Sequence, residues 1–235
     1  MHDFSTAFHL AFGLLFSADP DLLEIIALSL RVSLTALLIS GVVGLAIGAL
    51  VGMSRFRGRA AIIILLNALM GLPPVVVGLC VYLMLSRSGP LGWMGLLYTP
   101  TAMIVAQAIL ITPIIAALSR QIIEDLHNEY AEQFRSLCVP PRSAAAALLW
   151  DARYSLLTVA LAGFGRAIAE VGAVIIVGGN IDHLTRVRTT AIALETSKGD
   201  LALALALGIV LLIIALTVNA AAMTLRMTAA RHAYA

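Results

Sequence analysis

Long apolar runs separated by short polar breaks fill most of this chain. Five of them, at 29–53, 60–85, 99–118, 154–177 and 201–225, reach the ~20 residues that an α-helix needs to cross a hydrocarbon core. They predict an all-α, polytopic membrane protein with about five transmembrane helices in one permease-sized domain, 1–235. A sixth apolar stretch, 4–16, has only thirteen residues and is expected to lie at the membrane interface. No succession of alternating ten-residue segments suggests an outer-membrane barrel.

The apolar runs carry local irregularities. Ser40, Gly44, Gly48 and Gly52 recur every four residues in the first span. Such a stripe lets another helix approach closely, either from the same chain or across a dimer seam. Gly71-Leu72-Pro73-Pro74 interrupts the second span. Neither proline donates a backbone hydrogen bond, so a kink or break is expected there. It is either a packed kink or part of a pathway lining. Gly178-Gly179-Asn180 ends the fourth span, which is read as the only one with interior charge, Arg166 and Glu170. Four residues apart on a helix, they can pair. An intramembrane ionisable pair either ties the span to a neighbour or lines a path.

Charge is concentrated elsewhere. Nine of the chain's 28 acidic and basic residues lie within 120–153, which marks this insertion as facing water. An amphipathic helix is expected over 122–137, stopped by Val139-Pro140-Pro141, and an Ala-rich one over 143–150. Two short helices would make a rigid knob. Nine basic residues (Arg55, Arg57, Arg59, Arg120, Arg135, Arg142, Arg153, Arg226, Arg231) fall on the knob's side, against four on the other. The positive-inside rule puts the knob and the C-terminus in the cytoplasm and the N-terminus outside. The outer loop at 181–200 then presents Arg186, Arg188 and Lys198 among Thr and Ser hydroxyls. These could guide an anion, touch an external protein or simply be solvated.

Composition narrows the class. Hydrophobic residues make up 61% and charged residues 12%, with mean hydropathy +1.00, where soluble domains carry about 25% charge. The net charge of +2 gives no reason to expect a nucleic-acid partner. Cys80, Cys138 and the five histidines lack metal-ligand spacing. The first twenty residues hold no Lys or Arg, so no secretory signal peptide is expected. No Gly-x4-Gly-Lys-Ser/Thr loop and no nucleophile–base arrangement occurs. An enzyme, catalytic residues, a metal and a cofactor on this chain are therefore not expected.

Several motifs carry a resemblance. Glu132-Gln133-Phe134, with Cys138 four residues on, is similar to the Glu-Ala-Ala…Gly motif of ATP-binding-cassette (ABC) importer permeases. Gln133 and Phe134 replace the alanines and Cys138 replaces the glycine. The run 163–174 (GFGRAIAEVGAV) resembles the molybdate/sulfate/tungstate branch. The runs 177–181 (VGGNI), 185–187 (TRV) and 189–200 (TTAIALETSKGD) resemble tungstate permeases, and 71–78 and 86–92 agree. The resemblance covers about 22–219. It implies a type I-like permease of the inner membrane, working as a homodimer with two ATPase subunits that hold ATP-Mg and an external substrate-binding protein. Tungstate is the implied cargo, ahead of molybdate or sulfate. Glu129, Glu132, Phe134, Arg135 and Cys138 would form the ATPase-coupling loop. Pro73, Pro74, Arg166, Glu170 and Asn180 would line or gate the path. The alternative is an ion-coupled secondary transporter using Arg166 and Glu170. Such transporters carry internal repeats, and neither the Pro-Pro nor the Arg-Glu feature recurs.

Overall fold

The computed structural model describes residues 20–233 and the isolated Gly13. The expected interfacial segment 4–16 otherwise lies outside the described residues. Regular structure among the described residues is helical: α1 (Pro20–Met53), α2 (Arg59–Met70), α3 (Pro74–Leu85), α4 (Pro100–Glu129), α5 (Ala131–Ser136), α6 (Pro141–Asp151), α7 (Arg153–Ile168), α8 (Gly172–Gly178), α9 (Arg188–Lys198) and α10 (Leu201–Ala233). A 3-10 turn at Gly92–Met94 joins α3 to α4. Three helices are long and apolar enough to cross a membrane, and two bent pairs bring the number to as many as five.

The axis of the molecule is the α1–α4 seam, and the small-residue stripe makes it. Ser40 Oγ donates to Ala108 O at 3.1 Å. A methyl added at Gly44 would stand 2.9 Å from Ile115 Cβ, and one at Gly48 would stand 2.1 Å from Ser119 Oγ. At Gly52 it would stand 3.0 Å from the Arg120 carbonyl. Of the two uses open to this stripe, packing within the chain is the one realised. Close backbone approach is what small residues contribute in lipid, where no hydrophobic force draws helices together.

The second expected span is broken rather than kinked. Its halves, α2 and α3, have twelve residues each and meet at 100°. Each is about 18 Å long at 1.5 Å per residue, so neither crosses a bilayer alone. Pro73 holds an extended backbone (φ −66°, ψ 122°) and Pro74 opens α3, where its missing N–H costs nothing.

Two expectations need correction. The helix that carries the third expected span does not stop at Leu118. Helix α4 continues without interruption to Glu129, because polarity changes there but no breaker occurs. The fourth span is not one helix either. Helix α7 stops at Ile168, and α8 begins at Gly172 after a turn. Glycine packing explains that break: a methyl at Gly172 would meet Val75 Cγ2 at 2.9 Å, and one at Gly78 would meet Ala173 Cα at 2.7 Å. The break at Pro73-Pro74 and the break between α7 and α8 thus lean on each other; the second bent pair is α6–α7, at 71°. Gly179 (φ 70°) ends α8 in the left-handed conformation that glycine adopts freely, as expected for the Gly-Gly-Asn stop.

Candidate transport and coupling sites

At one end of the bundle, α4 runs past α1 and carries α5 and α6 as a compact knob. Ile123 and Leu148 are buried there with Ala49, and Met53, Leu126, Tyr130 and Phe134 pack around them. Arg59 and Arg120 both pair with Glu124, and Arg59 Nε also donates to Val51 O at 2.9 Å. From the sequence, Arg55, Arg57 and Arg59 form a short basic loop, with Arg59 its last residue. In the structure Arg59 is a clamp joining α1, α2 and α4. Tyr130 Oη donates to Asp151 Oδ2 at 3.0 Å, closing the knob on itself.

The five residues expected in the coupling loop do gather on this knob. Glu129, Glu132, Arg135 and Cys138 are exposed, while Phe134 is half-buried with its ring 5.9 Å from that of Tyr130. Helix α5 ends in a Schellman motif. Cys138 N–H donates to Arg135 O, and Val139 N–H donates to Phe134 O. Cys138 takes φ 49°, the left-handed conformation in which a glycine is usual. The turn survives the glycine-to-cysteine replacement by accepting this strain. Leu137 is 74% exposed and Trp150 71%. Sequence reasoning passed over both, although large apolar side chains on a charged, water-facing segment signal a binding surface. An open groove of about 860 Å³ runs beside them between Met53, Phe134, Val139 and Ala144.

The second site lies at the α7–α8 break. Arg166 pairs with Glu170, as the spacing suggested, although the helix stops between them. Glu170 is buried, and its Oε1 accepts from Ala173 N–H at 3.0 Å, so the carboxylate also caps α8. Pro73 and Pro74 reach this region through the Val75–Gly172 contact. Asn180 stands apart at the end of α8, half-buried with φ 52° and its Oδ1 unpartnered. Charge inside a span is also not confined to the fourth: Arg31 lies in the apolar window of α1 and is exposed.

The cations of the expected outer loop do not form one surface. Arg186 binds Asp182 at 2.6 Å and Lys198 binds Glu195 at 2.8 Å. Arg188 is fully buried, which takes it away from any surface that an external protein could touch. It is the first residue of α9, and its backbone N–H donates to Ser29 Oγ on α1 at 3.0 Å. Its Nε, Nη1 and Nη2 have no hydrogen-bond partner among the described residues. An arginine stays charged even when buried. A small cavity of about 10 Å³ holds this group together with Ser29, Ser33, Gln107, Glu170 and Thr189. Sequence reasoning missed Ser29, Ser33 and Gln107. They sit in spans as isolated polar residues, a signal that was available.

A multi-pass helical bundle with broken spans and a charged knob standing on one long helix defines a membrane transport component. No family model matches the chain. It is 42% identical over 220 residues to the tungstate uptake system permease protein TupB of Peptoclostridium acidaminophilum, covering 94% of this chain and 96% of that protein. It is 42% identical over 204 residues to a probable anion ABC transporter permease protein of Haloferax volcanii, covering 85% and 88%. TupB of Campylobacter jejuni is 36% identical over 212 residues, covering 90% and 89%. The chain belongs to the permease subunits of oxyanion ABC transporters. It is a transport component, and that membership sets the secondary-transporter alternative aside.

Proposed function

We propose that this chain forms the transmembrane path of an ATP-driven tungstate importer. The observation that carries the reading is the knob: a compact helical unit rigidly joined to α4, with Glu132, Arg135, Leu137 and Trp150 exposed on it. A rigid stalk transmits motion, and exposed apolar side chains among charges suit a protein partner. Two copies of the chain, each carrying one knob, would dock on two ATPase subunits. ATP and Mg would be held there, since no phosphate-binding loop occurs in these 235 residues. A substrate-binding protein would deliver the anion from outside. Two of the relatives above are named for tungstate uptake, which favours tungstate over molybdate or sulfate. The knob's side carries nine basic residues against four, which favours a cytoplasmic knob and C-terminus.

In this reading Glu129, Glu132, Phe134, Arg135 and Cys138 make up the coupling surface. Pro73, Pro74, Arg166, Glu170 and Asn180 surround the moving part of the path, with Arg186 and Lys198 at its mouth. The test is a pull-down of the tagged chain from its native membranes, beside Glu132→Arg. A P-loop ATPase should be retained by the wild type and lost from the variant at equal chain abundance. An ATPase retained equally by both would move the contact elsewhere. No ATPase with either would overturn the reading.

A further inference from the structure

The Arg188 side chain has 0% exposure and no partner for any of its three guanidinium nitrogens among the described residues. Burying an unpaired ion costs several kcal/mol. Buried charges are ordinarily paired, and Arg188 is not. The nearest candidate counter-charge is already committed. Glu170 lines the same cavity, but its oxygens serve Arg166 and the Ala173 N–H. Three formal charges, Arg166, Glu170 and Arg188, therefore leave the cavity with one net positive charge.

Several groups at the cavity suit an anion beside the apolar Val32, Ile168 and Leu211. Arg188 opens α9, an eleven-residue helix, so the positive end of its dipole lies at the cavity. Thr189 and Ser33 bring hydroxyls, while Gln107 Nε2 is held by the Ala167 carbonyl at 3.2 Å and its unpartnered Oε1 is an acceptor that has to face away from an anion. A guanidinium with all its donors free matches the oxygen geometry of a tetrahedral oxyanion.

We propose that the Arg188 cavity is an oxyanion-binding station within the transmembrane part, closed in this structure, with the guanidinium and the first turn of α9 as its donors. The proposal rests on the permease reading and adds to it where the cargo is held between the two sides. At about 10 Å³ the cavity is of the size that takes one water, so a tetrahedral anion enters only after α9 withdraws. Two hydrogen bonds and one small apolar cluster, Ala191 with Leu22 and Leu207, oppose that. Arg188 N–H to Ser29 Oγ and Thr189 Oγ1 to the Glu170 carbonyl (2.9 Å) hold its first turn. Its far end turns at Gly199 (φ 84°) into exposed residues. The second of those bonds joins α9 to the α7–α8 break, so the station opens and closes with that break.

The experiment compares wild type with Arg188→Met in two readouts. One is tungstate accumulation by cells, measured by metal analysis. The other is the melting temperature of the purified full chain with sodium tungstate, molybdate, sulfate or chloride. Arg188→Met should reach the membrane at wild-type abundance, because an unpartnered cation does not hold the fold. Its uptake should fall at least about tenfold, equivalent to about 1.4 kcal/mol. The wild type should melt higher in tungstate than in chloride, and the variant should lose that difference. Uptake within twofold of wild type, or a retained tungstate shift, would overturn the station while leaving the importer reading intact. A wild type stabilised by none of the oxyanions, or a variant that fails to accumulate, would overturn it too. Loss of the importer reading itself would show separately, as absent ATPase in the pull-down.

Discussion

Two buried or half-buried arginine clusters lie at opposite ends of the same bundle. At the knob's end, Arg59 and Arg120 share Glu124, and each cation has a carboxylate oxygen. At the end away from the knob, Arg188 is more deeply buried and its guanidinium has no partner among the described residues. Removing one member of a pair leaves a stranded charge, so the knob-side cluster holds helices together. Removing a charge that has no partner relieves the fold. The difference separates a cation that serves architecture from one that serves a ligand, and residue type alone does not reveal it.

The knob-side cluster is the place for the largest stability effect. Glu124→Leu strands both Arg59 and Arg120 at about a quarter exposure or less. The cost should be about 2 kcal/mol, between the values for surface and buried pairs. It is read as a lowered melting temperature, with the knob opening early to protease. A melting temperature equal to wild type would remove the architectural role from this cluster. Glu170→Gln is intermediate and separates the two duties of that carboxylate. The amide oxygen still accepts from Ala173 N–H, so α8 keeps its cap, while the charge pairing Arg166 is gone. Tungstate uptake should drop several-fold with the assembled complex intact. Normal uptake would reduce the Arg166–Glu170 pair to a static tie. Cys138→Gly is the smallest change. It relieves a left-handed backbone at a non-glycine residue and should stabilise the chain by about 1 kcal/mol. An unchanged melting curve would mean that the Schellman turn carries no strain there.

Much of the knob-side half could be read from the sequence, because its signals are local. The Ser40–Gly52 spacing marked the seam, Pro73-Pro74 the break, and Val139-Pro140-Pro141 the end of the first knob helix. The length of α4 could have been read as well. No proline or glycine stands between Pro113 and Pro140, and Arg120 and Glu124 are an i,i+4 pair that continues a helix. A change from apolar to polar is not a helix stop. The other half was less legible, because its decisive contacts join distant segments. Nothing in 169–171 announces a break; it follows from α3 packing against Gly172 and Ala173. Arg188 reads as a loop cation until α9 is seen tucked against Ser29, 159 residues away. Its neighbours Val187, Thr189, Thr190 and Ala191 are buried with it.

The most direct test of the contrast between the two clusters is the melting temperature of Arg188→Met, with no oxyanion present, against the wild type in the same detergent. The account predicts a higher melting temperature, since a buried charge without a partner has been replaced by an apolar side chain of similar length. A lower one would mean that Arg188 is paired within the protein and holds the fold as Arg59 and Arg120 do.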